Sequence, residues 1–145
     1  VLELSERYDF ARPLVNSGRL STPSTYDNSN LNSLDGMKNP TRSRVGAPCP
    51  DLPFNDDYLL NKTGNQFCVL TFNCKITETL DDLFLPVKTI EITEEDENKD
   101  FMRDRFLGQY KEAVYLLRPD QHIAGRWPSY DKEILLEALK KATGN

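Results

Sequence analysis

The sequence predicts an α/β fold: a mixed β-sheet with flanking helices, preceded by an irregular N-terminal segment. Three observations carry that prediction. Apolar, β-branched runs of strand length recur after residue 54, helical apolar spacing lies between and after them, and the residues before 54 show neither period. At 145 residues the chain has room for one core. Its 38% apolar content, with 7 Phe, 6 Tyr and 1 Trp, is enough to offset the entropy of ordering.

Residues 1–53 read as a connecting segment and 54–145 as the folded domain. From Asn16 to Asn55 the chain is rich in Ser, Asn, Pro and Gly, broken by Pro23, Pro40, Pro48, Pro50 and Pro53. Leu14, Val15, Leu20, Tyr26, Leu31 and Leu34 are apolar anchors at irregular spacing, so this segment is expected to lie against a surface. Arg12-Pro13 bars continuation of any helix begun at Val1. The opening residues lack both an initiator Met and the layout of a signal peptide, and are read as an internal start within a longer chain.

Phe67 to Phe72 follows the turn signal Thr63-Gly64-Asn65 and reads as a central strand buried on both faces. A short helix is expected over Thr77 to Phe84, where Leu80, Leu83 and Phe84 follow Thr77 and Pro86 stops the helix. Val87 to Thr93 alternates as a second strand, parallel to the first. A weak helical face spans 97 to 107, with Phe101, Met102 and Phe106. Ala113 to Arg118 and His122 to Trp127 form an antiparallel hairpin around Pro119-Asp120-Gln121. Ser129 is the expected cap of a last helix in which Tyr130, Ile134, Leu135, Ala138 and Leu139 share a face. Strand, helix, strand, helix, hairpin, helix is the order of a thioredoxin-like mixed sheet.

The net charge of -5 repels phosphate backbones, which excludes nucleic acid as the expected partner. The longest aliphatic and aromatic run, Ala113 to Leu117, is far short of the roughly 20 residues that span a bilayer. Cys49, Cys68 and Cys74 form neither an even set nor a CxxC pair, so reduced thiols in the cytoplasm are expected. Cys74 alone falls where a thioredoxin-type nucleophile would, just after the first strand, and Lys75 could lower its pKa slightly. A thioredoxin- or peroxiredoxin-like thiol oxidoreductase using Cys74 is therefore the alternative reading. The lone His122 and three scattered Cys lack zinc-ligand spacing, and the four adjacent carboxylates from Glu94 to Glu97 read as a solvated helix start, so no metal is expected. The residues alone describe a non-catalytic α/β module.

Tyr115-Leu116-Leu117-Arg118-Pro119-Asp120-Gln121-His122-Ile123-Ala124-Gly125-Arg126-Trp127 closely resembles the C-terminal hairpin of the class A FAD-dependent aromatic hydroxylases, the group of phenol 2-monooxygenases and hydroxyphenylpropionate hydroxylases. Ser17 to Ser21, Tyr26 to Leu31 and Gly46 to Asp51 look like that family's passage into its C-terminal domain, and Met102 to Gly108 is similar to the stretch before the hairpin. The resemblance implies a thioredoxin-like C-terminal domain without CxxC, serving as scaffold and interface. Its parent would be a flavoprotein monooxygenase that binds FAD, takes hydride from NAD(P)H and hydroxylates a phenolic ring. No GxGxxG follows a strand, so the missing FAD-binding domain is the implied partner, a homodimer the second, and this chain alone is expected to bind no cofactor and to be inactive. Arg118, Asp120, Arg126 and Trp127 are the interface candidates, toward the flavin domain or another subunit. Gly125, where relatives carry larger side chains, allows a bulge or a close neighbour.

Overall fold

The computed structural model describes residues 29–144, apart from 79, 81, 82, 84 and 96. Pro40 and Arg44 flank a 3-10 turn at Thr41–Ser43. A two-residue hairpin then pairs β1 (Pro53–Phe54) with β2 (Asp57–Tyr58), turning through Asn55 and Asp56 at positive φ, and leads into α1 (Leu60–Thr63). These three short pieces are not visible as periodicity, because none runs long enough to repeat its own pattern.

The main sheet has four strands: β3 (Phe67–Phe72), β4 (Val87–Ile92), β5 (Ala113–Leu117) and β6 (Ile123–Trp127). Their spatial order is β4-β3-β5-β6, with β3 parallel to β4 and antiparallel to β5, and β5 antiparallel to β6. This is the mixed sheet the sequence predicts, with the Phe67–Phe72 run in its interior. Gly64 leaves α1 at φ 73°, a value open to glycine at little cost, and so turns the chain into β3.

Side-chain alternation divides the core in two. Cys68, Leu70, Phe72, Ala113, Tyr115 and Leu117 face Met37, Val45, Leu52, Met102 and Phe106. Val69, Val114 and Leu116 face Leu80, Leu135, Ala138, Leu139 and Ala142. All of β5 and nearly all of β3 are buried, which is why both read as unbroken apolar runs. Phe72, Phe106 and Tyr115 make an aromatic cluster with centroids 4.3 to 5.6 Å apart.

The helices depart from expectation in three ways. The expected helix over Thr77 to Phe84 falls partly outside the described residues, and the described positions Thr77, Glu78, Leu80 and Leu83 are not helical. The second helical stretch is α2 (Lys99–Met102), continued by a π-helical turn at Arg103–Leu107. The last helix, α3 (Lys132–Ala142), is capped by Asp131 and not by Ser129: the Asp131 carboxylate accepts from Glu133 N and Ile134 N. That start sets the buried stripe at Leu135, Ala138, Leu139 and Ala142 and leaves Ile134 44% exposed, so Ile134 is not on the core face.

Gly125 does both things its size allows. The register shifts between Leu116 and Leu117, with Leu116 opposite Gly125 and Leu117 opposite Ile123, so Ala124 is a bulged extra residue. A Cβ on Gly125 would stand 2.6 Å from the Trp127 indole, which folds over it. Gly125→Ala is expected to push that ring outward and cost about 1–3 kcal/mol by overpacking. Denaturant unfolding followed by the single tryptophan measures it; an unchanged midpoint and emission maximum would show that the ring is not seated there.

Candidate functional site

The hairpin β5–β6 holds the four interface candidates, and the structure uses them differently. At the turn, Arg118 bonds the Asp120 carboxylate at 2.8 Å, while Asp120 Oδ1 accepts from His122 N at 3.1 Å. Gln121 takes φ 67°, and its side chain donates to Leu60 O and Thr63 Oγ1. Arg118, Asp120 and Gln121 therefore build a corner. Asp120 keeps 44% of its side chain in solvent, whereas His122 keeps 12% and lies with Nδ1 3.4 Å from Asp120 Oδ1.

Arg126 is turned inward. The bulge at Ala124 changes the phase of β6, so Arg126 stands in register with Tyr115 and on its face of the sheet. Its residue surface is 1% exposed. The guanidinium donates to Asp35 Oδ1 at 2.6 Å, Pro40 O at 2.6 Å, Ser43 Oγ at 3.1 Å and Met37 O at 3.3 Å. Ser43 Oγ lies 2.8 Å from the Tyr115 hydroxyl, which donates to Phe106 O at 2.6 Å. Asp35 also accepts from Met37 N and Val45 N. One buried charge thus clasps residues 35–43 to the sheet, and the Arg126 side chain makes its contacts inside this chain.

Residues 33–49 as a whole cover the free edge of β6 and the turn before it. Ser33 N donates to Ala124 O, Gly36 N to Arg126 O, Gly46 N to Ile123 O and Cys49 N to Gln121 O, while Ile123 N donates to Ala47 O. An edge strand that would otherwise be open is occupied by irregular chain. A Cβ on Gly36 would come within 2.7 Å of Arg126 O, so this close approach needs glycine.

Trp127 points to the opposite face. With Ser33, Leu34, Ile134, Glu137, Ala138 and Lys141 it lines an open groove of about 320 Å3.

Cys74 follows β3, where the alternative reading puts it. Burial pushes its thiol up to about 11, and the Glu112 carboxylate beside it adds to the rise, as does Glu91. Lys75 is exposed and is not what the thiol senses, so its expected pKa-lowering effect is absent. Burial likewise pushes Cys68 up to about 12 and Cys49 well above the ordinary value. Cys49 is a core residue and not a bare loop position: it is 6% exposed within the first core cluster. Among the described residues no group of three or more His, Cys, Asp or Glu is placed to hold a metal ion. Nor is any described helix long and apolar enough to cross a membrane.

Sequence reasoning found Arg126 but missed Asp35 and Ser43, which lie 91 and 83 residues from it. The available signal was Tyr115: a hydroxyl within a fully buried run requires a partner.

No family model matches this chain, and no curated protein does. Solved structures do. The chain superposes on the substrate-free form of the rebeccamycin biosynthetic enzyme RebC with a TM-score of 0.55, at 23% identity over 83% of this chain. RebC with reduced flavin gives 0.54 at 21% identity over 83% of this chain. A ternary complex of aklavinone-11 hydroxylase with FAD and aklavinone gives 0.53 at 18% identity over 72% of this chain. In each case the chain spans 22% of the other protein's length. The shared feature is the fold of one part of much longer flavin-containing enzymes.

An FAD pyrophosphate is held by free amides at a helix N-terminus or glycine-rich turn. Here the first amides of α3 are taken by Asp131, whose negative charge repels a phosphate. At the N-terminus of α3 that seat is taken by the protein's own carboxylate.

Two outcomes follow. Arg126→Ala, which strands the Asp35 carboxylate and empties the clasp, is expected to lower stability by about 3–5 kcal/mol in denaturant unfolding. In a double-mutant cycle with Asp35→Ala the two changes should couple by at least about 0.5 kcal/mol, and strictly additive losses would contradict the clasp. For Cys74, whose neutral thiol is favoured, the alkylation rate should climb about tenfold per pH unit past 9 toward 11. Mass spectrometry of the labelled peptide against pH checks this, and a plateau near pH 7 would identify a poised thiolate.

Proposed function

We propose that this chain is the scaffolding and interface domain, thioredoxin-like and C-terminal in its parent, of a cytoplasmic FAD-dependent aromatic-ring monooxygenase. The parent takes electrons from NAD(P)H, and the chemistry resides outside these residues. The observation that carries the reading is the hairpin Tyr115 to Trp127, whose wording resembles that of the class A hydroxylases and whose corner and clasp organise this fold. The likeness to a hydroxylase with bound FAD and to an enzyme with reduced flavin supports it, as does a span of 22% of those chains. Arg118, Asp120 and Trp127 keep surface at the hairpin's ends and are the residues proposed to meet the FAD-binding domain.

The thiol-oxidoreductase alternative is not favoured. A nucleophilic cysteine needs a lowered pKa, and Cys74 sits beside carboxylates that raise it.

The test expresses the gene's full product and, in parallel, the 145-residue chain. The full product is expected to purify yellow and to oxidise NADPH faster when simple phenols are added. The 145-residue chain, mixed with FAD, NADPH and the same phenols, should do neither. A full product without flavin, or a flavin-binding short chain, would overturn the proposal.

A further inference from the structure

Toward the C-terminal end of β3, on the sheet face that carries α3, a fully buried hydroxyl stands without a partner. Thr71 is 0% exposed, and its Oγ1 makes no hydrogen bond among the described residues. A buried polar group in that state costs the folded chain its desolvation and points to a partner from outside. Strand register fixes what surrounds it. Thr71 stands opposite Glu91 of β4 on one side and Val114 of β5 on the other, so all three share a face. Cys74 and Tyr130 pack against the same half of the core. The Cys74 thiol donates to the Glu112 side chain and accepts from the Tyr130 backbone, with Glu91 also close enough to act on it. The Tyr130 hydroxyl is buried too, beside Glu78 and within range of Asp131 and Cys74. Burial, and after it Glu112 for the thiol and Glu78 for the phenol, raises both above their ordinary values, so neither adds a negative charge of its own.

We propose that this cluster binds a small primary ammonium ion, with Thr71 Oγ1 as one acceptor and the Glu91 and Glu112 carboxylates as the others. The flavin reading plays no part in it. The chemistry of the groups selects the ligand. Among the described residues no three of His, Cys, Asp or Glu are placed to hold a metal ion, so the acids do not close on a bare cation. A guanidinium binds best flat against one carboxylate, through two parallel bonds. Here the acceptors come from three places: the middle of the sheet, β4, and the residue before β5. An ammonium fans three N–H donors about a compact charge, which suits that spread. The buried hydroxyl then gains the donor that the fold withholds from it, and the acids gain a counter-charge.

The test titrates the isotope-labelled 145-residue chain with ethylammonium chloride at constant ionic strength, with sodium, potassium and tetramethylammonium chlorides as parallel probes. The amide resonances of Thr71, Cys74 and Glu112 should move together along one saturating curve with ethylammonium. Tetramethylammonium, which carries the charge without an N–H donor, should leave them in place. Thr71→Val keeps the shape of the side chain and removes only the hydroxyl. It should weaken binding about tenfold while leaving the free protein as stable as before or more so, since no internal hydrogen bond is lost. Glu112→Gln should also weaken binding about tenfold, because a charged acceptor becomes a neutral one. Equal shifts with sodium or tetramethylammonium would reduce the effect to screening of the acids and overturn the proposal. A sodium or potassium curve that saturates at lower concentration than ethylammonium would make the ligand a metal ion, which also overturns it. So would shifts that never saturate, or binding that Thr71→Val does not alter. A Thr71→Val chain less stable than the original would give the hydroxyl a partner inside the fold, with the same consequence.

Discussion

A guanidinium with five N–H donors and no route to water dictates how this chain folds around it. Arg126 is buried beside Tyr115, so folding has to bring acceptors to both: residues 35–43 supply those of the arginine, and Phe106 O accepts from the tyrosine. Regular structure would already have engaged the carbonyls of Met37 and Pro40 in its own ladder or helix. Irregular backbone leaves them free to accept from the arginine. The disorderly look of this stretch in the sequence and its exact fit to the sheet thus have one cause. Its apolar side chains Met37, Val45, Cys49 and Leu52 complete one half of the core, so residues 37–52 are structural members of the same body as the strands.

The parts of the fold with a period were legible. Phe67–Phe72, Val87–Ile92, the hairpin and the last helix are each long enough to display their spacing, and the parallel pair followed by a hairpin comes out in the expected order. What failed to show has local causes. The bulge at Ala124 inverts the phase of β6, so alternation counted from Ile123 puts Arg126 on the wrong face. Asp131, two residues beyond Ser129, is equally able to cap and has the better reach to the first free amides. Asp35 and Ser43 leave no spacing signal, since their partner is brought to them only by the completed sheet.

Cys74 shows how little a position says without its surroundings. It stands after the first long strand, where a thioredoxin-type nucleophile would stand, yet the balance there is against a thiolate: burial and the acids Glu112 and Glu91 outweigh the Tyr130 backbone hydrogen bond that favours it. The hairpin turn is the reverse case. Arg118, Asp120 and His122 carry groups often found in active sites, and here they close a corner that holds β6 where Arg126 can reach the segment beneath it.

Residues 33–49 and β6 thus form one cooperative unit fastened by Arg126. Native-state hydrogen exchange reads this through the amides of Ser33, Gly36, Gly46 and Cys49, which donate to β6 and to the turn before it, against that of Ile123, which donates back. All five are expected to exchange with the same opening free energy, at or near that of global unfolding. Exchange of the first four through an opening that leaves Ile123 protected would contradict it.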